Sequence, residues 1–139
     1  MKLGILASHP VQYQAPLFRE LAKFPEIDLT VYFCHKLDSK EQGVGFGVHF
    51  QWDVDLLLGY SYVWLENVAS KPSVLSFIGC DTPEIASIIK EERFDVFVVF
   101  GWRLKSYWQA FWGCWKTRTP LFARSDSQMN PDSPFIKRL

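Results

Sequence analysis

The run Asp95–Phe100, with the sequence DVFVVF, constrains the fold of this chain more than any other segment. It is a nearly continuous series of β-branched and aromatic residues, and it has the length of a strand rather than of a buried helix. Such a strand must be covered by apolar groups on both faces, as a central strand of a parallel sheet is. The run therefore predicts an α/β fold in which helices cover a parallel sheet.

The rest of the chain alternates strand patterns with helix patterns, as this fold requires. Four more segments are predicted as strands because they are short and apolar or rich in β-branched and aromatic residues: Lys2–Ala7, Asp28–Cys34, Tyr60–Leu65 and Pro120–Ala123. Helices are predicted from Pro16, after a capping box at Asp81–Glu84, and over Leu104–Trp115. We therefore expect a single domain over residues 1–139, with a Rossmann-like, mostly parallel sheet and helices on both faces.

The composition argues against several classes of protein. The 139 residues include 15 basic and 15 acidic ones, whereas a nucleic-acid surface needs clustered positive charge. The cysteines, Cys34, Cys80 and Cys114, are odd in number and widely spaced, which argues against a disulfide framework or a zinc site and favours a reducing cytoplasm. His35 and His49 lack the cysteine or carboxylate neighbours of a metal site. We expect a cytoplasmic protein without a bound metal.

Ligands of such sheets bind beyond the carboxyl ends of the strands, which makes the segments after the strands the candidate site. The first of these segments carries His9, Gln12 and Tyr13 on a strand-to-helix turn. Histidine has an ordinary pKa near neutrality, so His9 is a candidate base for a sugar hydroxyl. The alternative is a histidine that only hydrogen-bonds the turn. Gln12 and Tyr13 are candidates for holding hydroxyl groups.

The glycine-rich segment GVGFGV at 43–48 resembles a dinucleotide-binding fingerprint only loosely. A working fingerprint follows the first strand directly and opens a helix, whereas this segment lies in a later loop. We therefore reject an NAD site here. The glycines indicate a loop that allows close backbone approach, and Gly45, Phe46 and Gly47 are predicted to contact a substrate.

Two charged residues follow later strands. Arg103 comes just after the run DVFVVF and is a candidate for binding an anion or a sugar, or else it is a solvated residue at a helix start. Asp126 follows the last predicted strand and is a candidate to accept hydrogen bonds from a sugar or to orient a base. The alternative for Asp126 is a turn cap.

An aromatic stripe at helical spacing marks the third predicted helix: Tyr107, Trp108, Phe111, Trp112 and Trp115. Core packing against the sheet is the favoured interpretation. Docking on a membrane surface is the alternative, because Lys105, Lys116 and Arg118 flank the stripe. If the alternative holds, the protein is peripheral to the inner face of the membrane.

The end of the chain carries a helix start signal, with Ser133 as a cap and Pro134 in the first turn. Only five residues follow Pro134, whereas isolated helices shorter than about 12 residues are marginal in water. We expect a chain that is cut short or continued by a separate polypeptide. A frayed tail is the alternative.

Taken together and in order, four segments resemble the N-terminal domain of bacterial glycosyltransferases of family 4, which have the GT-B fold. The segments are HPVQYQAPLFREL at 9–21, GFGVHFQWDVDLLLGYSYVWLEN at 45–67, FDVFVVFGWRLKSYW at 94–108 and PLFARSDS at 120–127. The resemblance implies one half of a GT-B fold: an acceptor-side domain facing a second domain across a cleft. The second domain would bind the nucleotide-sugar donor, and no metal would be needed.

The resemblance also implies roles for the candidate residues. His9, Gln12 and Tyr13 would line the floor of the cleft, the loop around Phe46 would order on an acceptor, and Arg103 and Asp126 would face the donor. The acceptor would be a glycan or a lipid-linked saccharide, and the chain would be inactive without the second domain, whether that is fused or a separate chain. The alternative is a non-catalytic binding or scaffold subunit of a two-chain transferase. A nucleotide-binding protein of the dehydrogenase kind is disfavoured, because the first turn reads SHPVQ rather than being rich in glycine.

Overall fold

The computed structural model describes residues 1–37 and 55–125. Their five strands are β1 Lys2–Ala7, β2 Asp28–Phe33, β3 Ser61–Trp64, β4 Val96–Val99 and β5 Leu121–Ala123. Their helices are α1 Ala15–Ala22, α2 Glu84–Glu92 and α3 Lys105–Thr117, with a short 3-10 helix at Phe77–Gly79. The strands form one sheet in the order β3-β2-β1-β4-β5, and every neighbouring pair is parallel. The predicted Rossmann-like α/β fold is confirmed.

The central strands β1, β2 and β4 are covered on both faces, whereas the edge strands β3 and β5 are more exposed. Successive side chains of each strand point to opposite faces of the sheet. On one face Leu3, Ile5 and Ala7 of β1 pack with Phe18 of α1. On the other face Leu6 of β1 packs into a second cluster, which takes in residues of α2 and α3. The helices therefore lie on both faces, as the apolar run of β4 predicts.

The helices α2 and α3 pack closely against each other on the second face. A Cβ atom added at Gly113 of α3 would lie 3.0 Å from the Cα atom of Ala86 and 3.3 Å from Cδ1 of Ile89. Glycine at this position lets the two helices approach closely.

The predicted capping box at the start of α2 is wrong. No side chain caps this helix, and the carboxylate of Glu84 accepts a hydrogen bond from the backbone N–H of Glu66 at 2.5 Å. Asp81 instead accepts hydrogen bonds from Lys105 Nζ at 2.5 Å and from Gln109 Nε2 at 2.7 Å. Asp81 binds side chains of α3 rather than capping α2, because α3 lies directly beside this turn. The sequence spacing does not reveal that α3 is so close.

The ion pair between Asp81 and Lys105 makes stability depend on pH in the acid range. The hydrogen bond from Lys105 holds the pKa of Asp81 below its usual value. A depressed carboxyl pKa stabilises the fold above the unfolded value of about 3.9, and this contribution is lost as the pH falls through the lower folded value.

Replacing Asp81 by asparagine is therefore expected to lower the free energy of unfolding by about 1 kcal/mol at neutral pH. The difference from the wild type should shrink as the pH falls from about 4, the pKa of the unfolded state, through the lower pKa of the folded carboxyl. Urea unfolding at a series of pH values measures both effects. Glu20→Gln is the matched control, because the Glu20–Lys23 pair is solvent-exposed. An Asp81→Asn deficit that stays constant down to the acid limit would contradict the assignment.

The aromatic stripe of α3 divides between core and surface. Tyr107 is buried and Phe111 packs against the core, as predicted. Trp108, Trp112 and Trp115 are exposed, so the prediction that they fill the core is wrong for these three. Small residues, Ala110, Gly113 and Cys114 among them, form most of the buried face of this helix and leave the indoles on the outer side.

Candidate functional site

A cleft of about 410 Å³ opens at the carboxyl ends of the central strands. Its walls come from the segments that follow β1, β4 and β5, together with α3 and the loop after β3. The lining residues are Ser8, His9, Gln14, Val74, Phe100, Gly101, Trp102, Arg103, Leu104, Tyr107, Arg124 and Ser125. This is the edge at which parallel α/β sheets bind their ligands.

The turn after β1 forms one wall. Its backbone stays tied to the sheet edge, because the Ser8 carbonyl accepts a hydrogen bond from the N–H of His35 at 2.9 Å. The Ser8 hydroxyl lies 2.9 Å from Nδ1 of His9, which orients the imidazole. The helix α1 begins at Ala15, and no side chain caps it, since Gln14 at the capping position lines the cleft instead.

The turn after β4 forms the second wall, and it requires glycine. Gly101 has a φ angle of +134°, and a Cβ atom there would lie 2.8 Å from Cε2 of Tyr107. Phe100 is tied back to β1 through its N–H, which donates to the Leu6 carbonyl at 2.9 Å. The chain then presents the exposed side chains of Trp102 and Arg103 before α3 begins.

A second arginine enters the cleft from the neighbouring strand. Arg124 follows β5, and its N–H donates to the Val99 carbonyl at 2.8 Å. Its guanidinium lies 5.3 Å from the centre of the Phe100 ring, within the range of a cation–π contact. Within the described part of the chain, no residue that lines the cleft carries a carboxylate. The cleft can therefore hold hydroxyl groups and anions.

The base of the cleft is neutral. Burial raises the pKa of Tyr107 well above its usual value, although its hydrogen bond with Ser8 opposes the shift. Behind it, burial also raises the pKa of the Cys34 thiol, which is hydrogen-bonded to Ser106 and Thr82. The Thr82 hydroxyl donates to Ser106 Oγ at 2.8 Å in the same buried group. The positive charge of the cleft therefore comes from its arginines.

The residues predicted from the sequence divide into three groups. His9 and Arg103 line the cleft. Gln12 and Tyr13 are exposed and are not among its lining residues; Gln14 from the same turn takes that place. Gly45, Phe46, Gly47 and Asp126 lie outside the described residues.

Sequence reasoning assigned no binding role to Arg124, Phe100 or Tyr107. A signal existed for Arg124, because it directly follows the predicted strand Pro120–Ala123. Tyr107 belonged to the aromatic stripe of α3, and the spacing of that stripe does not show that the first ring faces a cleft.

Two further features bear on the chemistry of the described residues. Over residues 1–37 and 55–125, no group of three or more histidine, cysteine, aspartate or glutamate side chains is arranged to hold a metal ion. Over the same ranges, no helix has the length and apolar character that crossing a bilayer requires.

Comparison with known proteins assigns this chain to no family. No protein-family model matches the chain, and no curated protein sequence does so. A solved structure that resembles it is saccharopine dehydrogenase (L-Glu forming) from Saccharomyces cerevisiae, with 14% sequence identity and a TM-score of 0.49. The likeness covers 94% of this chain and 22% of that one, so the chain spans about a fifth of the length of that enzyme. At this identity and score, nothing about activity follows.

Proposed function

We propose that this chain is the acceptor-binding domain of a GT-B glycosyltransferase similar to family 4. The domain would bind a glycan or a lipid-linked saccharide while a second domain supplies the nucleotide-sugar. The observation that carries the proposal is the cleft at the carboxyl edge of the sheet, which His9, Arg103 and Arg124 all line. The ordered resemblance of four segments to the N-terminal domains of that family supports the same conclusion.

The lining of the cleft suits a saccharide. The amide of Gln14 and the hydroxyl of Ser125 provide hydrogen-bonding groups for sugar hydroxyls. The Trp102 side chain, which is 47% exposed, provides an aromatic surface at the rim. Arg103 and Arg124 provide donors for a phosphate, such as that of a lipid-linked acceptor or of the donor diphosphate.

Within this proposal, His9 receives the proton of the attacking acceptor hydroxyl. An imidazole has the right proton affinity at neutral pH, and the Ser8 hydroxyl at 2.9 Å fixes its ring orientation. The second domain would stabilise the departing diphosphate, which is usually the largest contribution to such a reaction. The single domain is therefore proposed to bind acceptor without catalysing transfer.

The decisive experiment supplies the second domain. The chain is combined with a matching nucleotide-sugar domain, fused or as a separate polypeptide, and nucleotide release is measured with and without saccharide acceptors. We expect acceptor-dependent release from the pair and none from the chain alone. Calorimetry of the chain alone with saccharides and with NADH is run in parallel.

Other outcomes of these measurements would support a different function. Binding of nucleotide-sugar by the pair without any turnover would favour the non-catalytic scaffold subunit. Tight NADH binding by the chain, with no saccharide binding, would favour a protein of the dehydrogenase kind. A pair that binds no nucleotide-sugar would refute the glycosyltransferase proposal.

Removing either cleft arginine tests the assigned charge chemistry. Arg103→Gln and Arg124→Gln are each expected to weaken binding of a phosphorylated saccharide by about tenfold or more, because a charge-assisted hydrogen bond is worth about 1.5–3 kcal/mol. Binding of the matching uncharged saccharide should change much less. Lys90→Gln is the control, since Lys90 is exposed in the last turn of α2. Equal losses for both ligands would argue against a phosphate-binding role.

A further inference from the structure

The outer side of α3 carries a tryptophan face, formed by Trp108, Trp112 and Trp115. The fractional exposures of their side chains are 54%, 55% and 70%. The rings support each other, since the centroids of Trp112 and Trp115 are 5.3 Å apart and Trp108 contacts Phe111 at 5.4 Å. Three exposed indoles on a single helix are unusual for a water-facing surface and mark an interaction site.

The segment that carries the tryptophan face has charged residues of one sign. Residues 96–125 include five basic residues and no acidic one, although the whole chain is neutral. The ammonium of Lys116 lies 5.1 Å from the centre of the Trp112 ring, and Arg118 follows at the end of the helix. Asp81 neutralises the charge of Lys105 through their ion pair. The other basic residues beside α3 are Arg103, which precedes its first turn, and Lys116 and Arg118 at its C-terminal end.

We propose that the tryptophan face docks on an anionic phospholipid surface, with α3 lying in the plane of the interface. Indole rings favour the headgroup region of a bilayer, where an apolar ring and an N–H group are both accommodated. Each basic residue near an anionic leaflet adds electrostatic attraction. The 13 residues of α3 extend about 20 Å, which suits a helix lying on the surface rather than one crossing it.

The charge pattern favours a lipid surface over a second copy of this chain. A symmetric dimer would bring the same patch of each copy together. The charged residues of 96–125 are all basic, so such a dimer would bring positive charges of the two copies together, with no carboxylate from this segment to neutralise them. An anionic leaflet supplies the opposite charge instead.

Docking through this face would place the mouth of the cleft beside the lipid headgroups. The indole N–H of Trp108 donates to the Trp102 carbonyl at 2.8 Å, and Trp102 lines the cleft. The tryptophan face therefore continues into the rim of the cleft at the start of α3. The docking itself is independent of which ligand the cleft takes.

Vesicle co-sedimentation of the intact chain tests this proposal. Vesicles of phosphatidylcholine alone are compared with vesicles that also contain phosphatidylglycerol, and tryptophan emission is recorded on the same samples. We expect binding to the anionic vesicles with a blue shift of the emission, and little binding to the neutral ones. Replacing the three tryptophans together by alanine should lower the partition coefficient by at least about tenfold, because their apolar area no longer leaves water on docking.

Matched variants show whether vesicle binding depends on the tryptophan face itself or on exposed apolar and basic residues in general. Replacing the exposed residues Phe24, Leu58 and Val68 together by alanine should leave vesicle binding unchanged. Removing two charges by Lys116→Gln and Arg118→Asn should weaken binding to anionic vesicles, whereas the same loss at Lys71 and Lys90 should not. Asparagine is chosen at position 118 because Arg118 has a positive φ angle of 56°, which asparagine tolerates.

Three results would overturn the docking proposal. One is a wild-type chain that does not bind anionic vesicles. Another is a triple tryptophan variant that keeps its circular dichroism spectrum and binds as well as the wild type. The third is a wild-type dimer in sedimentation velocity that the triple variant converts to a monomer, which would assign the face to a second copy of this chain.

Discussion

Replacing Phe18 by alanine is expected to lower the free energy of unfolding by about 3–5 kcal/mol, the usual loss for a fully buried phenylalanine. Phe18 is the residue by which α1 is anchored to the sheet, and only 1% of its surface is exposed. Its ring lies 5.3 Å from that of Tyr60 and 5.7 Å from that of Phe100, with Phe33 at 6.5 Å. Alanine would leave a cavity where these rings converge.

Chemical denaturation of the variant measures the loss directly. Leu17→Ala is the matched control, because Leu17 is the preceding residue on α1 and is 38% exposed. It should cost far less than Phe18→Ala. Equal losses would show that α1 is held by its general helical propensity rather than by this ring. Because Phe100 also carries the Arg124 contact, the Phe18 variant should weaken ligand binding in the cleft as well.

Replacing Gly4 by alanine is the second change with a large expected effect. Gly4 lies in β1 beneath the Phe97 ring, and a Cβ atom there would be 2.5 Å from two of the ring carbons. The added Cβ atom could not shift toward Phe94, since a carbon of that ring would already be 3.0 Å away. Phe97 is fully buried, so the clash must be absorbed by shifts in the core. The expected loss is about 1–3 kcal/mol, with a larger loss for Gly4→Val.

A double-mutant cycle with Phe97→Leu identifies the cause of this loss. If the ring is the obstacle, Gly4→Ala should cost less in the leucine background, with a coupling of about 0.5–3 kcal/mol. Urea unfolding of the four proteins gives the coupling. Strict additivity would place the strain elsewhere in β1.

The five strands and the starts of the three α-helices could be predicted to within one or two residues, because each depends on a local pattern, whereas the 3-10 helix at Phe77–Gly79 was not predicted. The apolar run ending at Phe100 predicted β4, and the proline at position 16 predicted the start of α1 to within one residue. Within α1, Phe18 is buried, whereas its neighbour Leu17 is 38% exposed. The order β3-β2-β1-β4-β5 was not predicted, because it depends on pairing between strands far apart in the chain.

The residues that could not be predicted depend on contacts between segments far apart in the chain. Asp81 binds Lys105 of α3 rather than capping α2, and the residues next to Asp81 in the sequence do not indicate this partner. Gln14 rather than Gln12 lines the cleft, because the turn continues for seven residues before α1 begins. The tryptophans of α3 share the spacing of core residues, but the close contact at Gly113 turns that helix so that its small residues face inward.

The burial of all three cysteines has a practical consequence for studying this molecule. Cys34, Cys80 and Cys114 carry free thiols inside the core, and burial raises the pKa of Cys114 to about 11. Thiol reagents act on the accessible thiolate, so the folded wild-type chain presents almost nothing for a maleimide to modify at neutral pH. A single cysteine introduced on the surface would then take up a spin label or a fluorophore at that position alone. Distances and immersion depths could be measured in this way without first removing any native residue.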